Sequence, residues 1–142
     1  MISTRGRYAL RMMLDLAEHQ GDGVVALKDI AARQEISKKY LEQIIPVLNR
    51  AGLSQTTRGV QGGYRLTRRP EDYTLGDILR TTETGLTSVA CLEKDAPLCP
   101  RSQDCLTKPV WEGLDRVINE YLDSITLQDV LDRKQVGNDY VI

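Results

Sequence analysis

The chain has 142 residues, 41% hydrophobic and 27% charged, with a formal net charge of −1. That suits one packed domain, or one domain plus an extension. No apolar run approaches the roughly 18–20 residues of a membrane span, and the first residues lack the apolar segment of a secretory signal, so a cytoplasmic protein is expected. Charge is uneven along the chain. Residues 1–80 hold thirteen Lys and Arg against nine Asp and Glu, and residues 81–142 hold six against eleven. A basic front and an acidic rear point to a polyanion at the front, with ordinary surface variation as the competing reading.

Residues 4–19 predict a helix, because Ala9, Met12, Met13, Leu16 and Ala17 recur at helical spacing. Gly21 and Gly23 end it, and Val24-Val25-Ala26 suggests a short strand. Leu27 to Gln34 is a short helix with Ile30 and Ala31 inward. Glu35-Ile36-Ser37 makes a tight connection, and Ser37 caps the next helix, from Lys38 towards Ala51, through its hydroxyl. Leu41, Ile44, Ile45 and Leu48 form that helix's buried stripe, Gly52 stops it, and Pro46 predicts a kink or break near Ile45. Leu53 to Arg58 and Tyr64 to Thr67 read as strands around a Gly59–Gly63 turn. Thr74 and Asp77 resemble a capping box opening a helix to about Glu83. A cysteine-bearing loop follows, then a long helix from about Pro109 to Ile125, and a last short helix opened by Thr126-Leu127-Gln128-Asp129.

Two short helices with a tight turn, then a hairpin with a glycine-rich tip, describe a winged helix-turn-helix. Burying the apolar stripe leaves Lys38, Lys39, Glu42 and Gln43 outward near the start of the second helix. Lysines neutralise phosphates, Glu accepts from the cytosine amino group, and Gln pairs with adenine. A solvated helix face would show the same residues. Arg58 before Gly59, with Gly62-Gly63 closing the tip, suits a wing entering a narrow minor groove. The chain holds one histidine, and the glycine tip lacks the Lys-Ser/Thr of a phosphate loop, so no enzyme is expected.

Four stretches carry a resemblance: Ser3-Thr4-Arg5-Gly6-Arg7-Tyr8-Ala9, Ile36 to Gln43, Ala51-Gly52-Leu53, and Arg58 to Tyr64. It continues through Cys105-Leu106-Thr107 and Trp111 to Ile125-Thr126-Leu127. Together they resemble the IscR/CymR-like family of bacterial winged-helix transcriptional regulators, over about the first 135 residues. The resemblance implies a mainly α fold with a small β-hairpin: a winged helix-turn-helix domain at 1–83, a cysteine loop at 84–108, a long C-terminal dimerisation helix at 109–126, and a short helix and tail at 127–142. It implies a homodimer on a palindromic double-stranded operator, acting as a repressor or an activator. Ser37, Lys38, Lys39, Tyr40, Glu42 and Gln43 then belong to the recognition helix. Arg58, Gly59, Gly62 and Gly63 belong to the wing, and Ser3, Thr4 and Arg5 to backbone contacts.

The three cysteines of the chain are Cys91, Cys99 and Cys105, spaced Cys-x7-Cys-x5-Cys. Clustered thiols in a polar, proline-containing loop suit metal ligation, and an odd number fits ligation better than pairing. An iron–sulfur cluster, zinc with a fourth ligand, and reduced thiols without metal all remain open on the residues alone. The resemblance favours a cluster, of two-iron or four-iron type, and the spacing is similar to that of iron-responsive relatives. No fourth ligand is evident. Lys108 stands where the IscR pattern has a histidine, and Tyr8 where nitric-oxide sensors of the family have an aspartate. His19, Glu93, Asp95, Asp104, a partner residue or an external ligand are the alternatives. The competing function is a CymR-like regulator controlled by binding a cysteine-biosynthesis enzyme, with redox-active or zinc-binding cysteines. Val110, Leu114, Val117, Ile118, Tyr121, Leu122 and Ile125 form an apolar stripe that packs on its own domain or meets its twin across a two-fold axis.

Overall fold

The computed structural model describes residues 1–138, with side chains described as far as Arg133 in the last helix. Helix α1 (Thr4–His19) is capped by Ser3, whose hydroxyl accepts from the Gly6 N–H. Its face of Ala9, Met12, Met13 and Leu16 is wholly shielded from solvent and forms the centre of the core. Burying side chains of this size stabilises by about 1.5–3 kcal/mol each, which is why the remaining elements gather on this helix.

Helix α2 (Leu27–Gln34) buries Leu27 and Ile30 and leaves Ala31 half-buried. It ends on Glu35 at φ +53°, with the Ile36 N–H reaching back 3.2 Å to the Ala31 carbonyl. A left-handed residue at this point closes the last turn and reverses the chain. Ser37 then caps helix α3 (Lys38–Arg50), as expected, by accepting from the Tyr40 N–H at 3.1 Å. Leu41, Ile44, Ile45 and Leu48 all face the core. The break expected at Ile45 does not occur, because α3 runs unbroken through Pro46. Both Pro46 and Glu42, whose carbonyl loses its helical donor, lie on the solvent side. Water can serve that carbonyl there, which lowers the cost of the missing N–H.

Strands β1 (Ser54–Thr57) and β2 (Gly63–Leu66) pair antiparallel, from Ser54 opposite Leu66 to Thr57 opposite Gly63. The strand expected at Val24-Val25-Ala26 shrinks to one bridge, with Val25 and Tyr64 exchanging two N–H to carbonyl bonds of 2.8 Å. The hairpin is fixed at its base by Tyr73, which is fully buried. Its hydroxyl donates to the Leu53 carbonyl at 2.7 Å and accepts from the N–H groups of Thr67 and Arg68 at 2.9 and 3.1 Å.

Helix α4 (Leu75–Thr82) opens with a complete capping box between Thr74 and Asp77. A second one, between Thr126 and Asp129, opens helix α6 (Leu127–Asn138). The two lie side by side, the Leu75 N–H bonding the Ile125 carbonyl and the Leu127 N–H bonding the Tyr73 carbonyl. Leu127 is thereby buried in the core beside the α1 side chains. The last helix is longer than the short one expected, and residues 139–142 of the expected tail lie outside the described residues.

Helix α5 (Lys108–Asp123) ends two residues before the Ile125 expected, and Ile125 is buried in the link to α6. None of its residues is buried. It is held by polar contacts: Arg80 donates to Asn119 at 2.9 Å and to Asp123 at 2.7 Å, and Asn119 donates to the Leu86 carbonyl. Its apolar stripe divides. Ile118 and Leu122 are half-buried, whereas Val110, Leu114, Val117 and Tyr121 face solvent. No helix among the described residues is long and apolar enough to cross a membrane.

Candidate nucleic-acid interface and thiol pocket

The start of α3 and the hairpin form the two walls of an open cleft of about 390 Å³. Six of the predicted residues line it: Lys38 and Glu42 from α3, and Arg58, Gly59, Gly62 and Gly63 from the hairpin. Lys39 and Gln43 are exposed on α3 but do not line this cleft. Tyr40 is partly withdrawn, its ring meeting Tyr8 of α1 edge-on at 5.3 Å. Ser37 has its acceptor engaged in the cap and keeps its hydroxyl proton for another partner.

The glycines of the tip are required by the hairpin itself. Gly59 has φ +114°. A Cβ on Gly62 would lie 2.2 Å from the Thr57 carbonyl oxygen, and one on Gly63 would lie 2.4 Å from that of Val25. The backbone therefore packs too closely for any side chain, and the tip carries Arg58, Val60 and Gln61 outward on a fixed loop. Asn49 joins this wing to α3 through Thr56 and Ser54, and Gln20 joins it to α1 through the Leu66 N–H at 2.7 Å.

At the front of α1, Thr4 and Arg5 are exposed. Ser3 is not free, because its N–H and hydroxyl both donate to Glu83.

A polar network behind the two-helix unit is absent from the sequence reading. Asp15, fully buried, accepts from Arg33 at 2.7 and 3.0 Å and from Gln34 at 2.9 Å. Arg11 donates in turn to the side chain and carbonyl of Gln34, and its guanidinium lies over the Tyr8 ring at 5.3 Å. Burial pushes the Asp15 carboxyl up, but the Arg33 and Gln34 hydrogen bonds and the Arg33 charge outweigh it and hold the group below its ordinary range. The available signal was Asp15 itself, a charge standing three residues after Met12 on the apolar face, where a carboxylate needs a partner.

Cys91, Cys99 and Cys105 all open onto one pocket of about 120 Å³, together with Ser102 and Lys108. Cys91 is exposed and the other two are half-buried, and all are free thiols. Hydrogen bonding with the Thr107 hydroxyl, then the Thr107 and Lys108 backbone, holds the Cys105 thiol below its ordinary value, and the Lys108 charge adds to this. The donors suit three cysteine positions of a cluster. They are not drawn into a ligating set: among the described residues no three Cys, His, Asp or Glu side chains stand close enough to hold a metal ion. Lys108 reaches the pocket but pairs with Glu112 at 3.8 Å, and a protonated amine offers no lone pair.

A family model named Rrf2, described as an iron-dependent transcriptional regulator, matches residues 2–133. The chain belongs to the Rrf2 family. The protein rrf2 of Nitratidesulfovibrio vulgaris is 42% identical over 130 residues, 92% of this chain and 86% of that protein. The structure of T. potens IscR is 43% identical with a TM-score of 0.76, covering all of this chain and 92% of that one. CymR, the global cysteine regulator of B. subtilis, has a structure 38% identical with a TM-score of 0.76, covering 94% and 97%. This Rrf2 chain is thus a winged-helix transcriptional regulator of the IscR and CymR type, and regulators of this family bind DNA.

Proposed function

We propose that the protein is a homodimeric regulator whose operator binding responds to an iron–sulfur cluster held by Cys91, Cys99 and Cys105. The observation that carries this reading is that all three thiols of the loop open onto one pocket. A bound cluster would supply sensitivity to iron and to oxidation, suiting control of iron–sulfur, iron or sulfur and cysteine metabolism.

The protein's own residues do the rest. Helix α3 enters the major groove with Ser37, Lys38, Lys39, Glu42 and Gln43 leading, and Arg58 reaches the neighbouring minor groove from the wing. Thr4 and Arg5 contact the backbone. Val110, Leu114, Val117 and Tyr121 recur at four, three and four residues, the spacing of a seam between two helices. Pairing α5 with its twin covers this seam and sets two recognition helices about one DNA turn, roughly 34 Å, apart. The front of the loop is tied to α5, where Asp115 accepts from the Ser88 N–H at 2.6 Å, and its rear runs directly into the helix, Cys105 meeting the N-cap residue Thr107 at 3.4 Å. Ordering the loop therefore acts on the helix that spaces the two readers.

The test is anaerobic purification with iron and sulfide analysis and a visible spectrum, before and after Cys99→Ala. Colour that survives the substitution rejects the loop as the cluster site. Equal operator affinity with and without the cluster rejects the coupling. A colourless, iron-free protein favours control by a cysteine-biosynthesis enzyme.

A further inference from the structure

The carboxylate of Glu83 bridges two parts of the chain that the proposed function treats separately. Glu83 follows the last residue of α4 and stands at the entrance to the cysteine loop. Its Oε1 accepts from the Ser3 N–H at 2.9 Å and from the Ser3 hydroxyl at 2.7 Å. The same hydroxyl accepts from the Gly6 N–H at 3.1 Å, so one side chain is bound to the other and to the helix start at once. Gly6 is buried, and a Cβ there would stand 2.2 Å from Oε1. The missing side chain at Gly6 is thus the space the carboxylate uses. The two residues that follow Ser3 are the exposed Thr4 and Arg5, and one turn further Tyr8 packs on Tyr40 at the start of α3.

We propose that Glu83 is a positioning residue for operator binding: it holds the capped first turn of α1, and with it Thr4 and Arg5, beside α3 against the DNA backbone. The proposal deepens the interface reading above and rests on it. Glu83 touches no DNA in this account. Without it the first turn frays, and Arg5 must be ordered at the moment of binding, which weakens the complex and removes a phosphate contact. Because the same residue begins the cysteine loop, a rearrangement of that loop reaches the front of α1 through a single carboxylate.

The test is a set of operator titrations with the full-length protein at several salt concentrations. Glu83→Ala is expected to weaken binding about 3- to 10-fold and to lower the slope of log K against log salt by about one per lost phosphate contact, hence about two in a dimer. Glu83→Gln keeps an acceptor in place and is expected to restore both. Gly6→Ala displaces the carboxylate by a different route and should reproduce the loss. A circular dichroism melt showing folded protein at the titration temperature accompanies each variant. An unchanged affinity and slope in Glu83→Ala overturns the proposal. So does tighter binding in both Glu83 variants, which would mean that the carboxylate competes with DNA for Ser3. If Arg58→Ala also leaves binding untouched, the interface itself falls, and the proposal with it.

Discussion

Replacing Tyr73 by Phe isolates one hydroxyl on which the wing depends. The ring stays, and with it the core contacts and the Arg68 guanidinium over its face at 5.4 Å. What is lost is the donor to the Leu53 carbonyl and the acceptor for the Thr67 and Arg68 N–H groups. The Leu53 bond is buried, and an orphaned buried carbonyl costs about 1–3 kcal/mol. The two N–H groups are only part-buried and reach water in part, adding about 0.5–1 kcal/mol each. The expected loss is therefore about 2–5 kcal/mol. With a urea slope of about 2 kcal/mol/M, the unfolding midpoint should fall by roughly 1–2.5 M without a change of slope, at matched protein concentration. Operator affinity of the folded variant should fall too, since the base of the wing is released. A midpoint shift below about 0.3 M would refute the assignment of Tyr73 as the wing's anchor.

Asp15→Asn removes the charge that Arg33 and Gln34 share on the buried side, while Arg33 itself reaches solvent, and should cost about 1–2 kcal/mol in urea unfolding. The folded carboxyl lies below its ordinary value, so its contribution is full above about pH 4 and is lost as pH falls through the depressed value. Stability profiles of the two proteins should therefore converge on acidification, and parallel profiles would count against the network. Glu35→Gly removes a side chain from a left-handed position and should raise stability by roughly 0.5–1 kcal/mol. A loss of stability would mean that the Glu35 side chain does more than tolerate the turn. Val117→Glu, at a position 56% exposed, should leave the protein folded yet monomeric in sedimentation. An intact dimer would reject the α5 seam.

Local chemistry carried much of this fold in legible form. Ser37 and Thr74 announce helix starts because a cap is settled within four residues, and the stripe on α3 follows from helical spacing alone. The break allowed for at Pro46 did not follow because the cost of the missing donor depends on which side of the helix faces water. Bonds between distant residues leave no periodic trace. Ser3 reaches Glu83 eighty positions away, and Asp15 reaches Arg33 across a turn and a second helix. For the candidate site, residue types and spacing pointed to the thiols and to Arg58. Their convergence on one pocket and one cleft required the chain to be folded.

The paired capping boxes at Thr74 and Thr126 bear on how far the cysteine loop can change. They pin both ends of the segment between them, so that beyond α4, which packs on α1 and α3, the cysteine loop and α5 form an excursion from an otherwise closed body. Lengthening a loop whose ends are already fixed costs little, about 0.6 kcal/mol for each doubling. The stretch between the thiols can therefore be lengthened at little cost to the stability of the body formed by α1 to α4 and the hairpin.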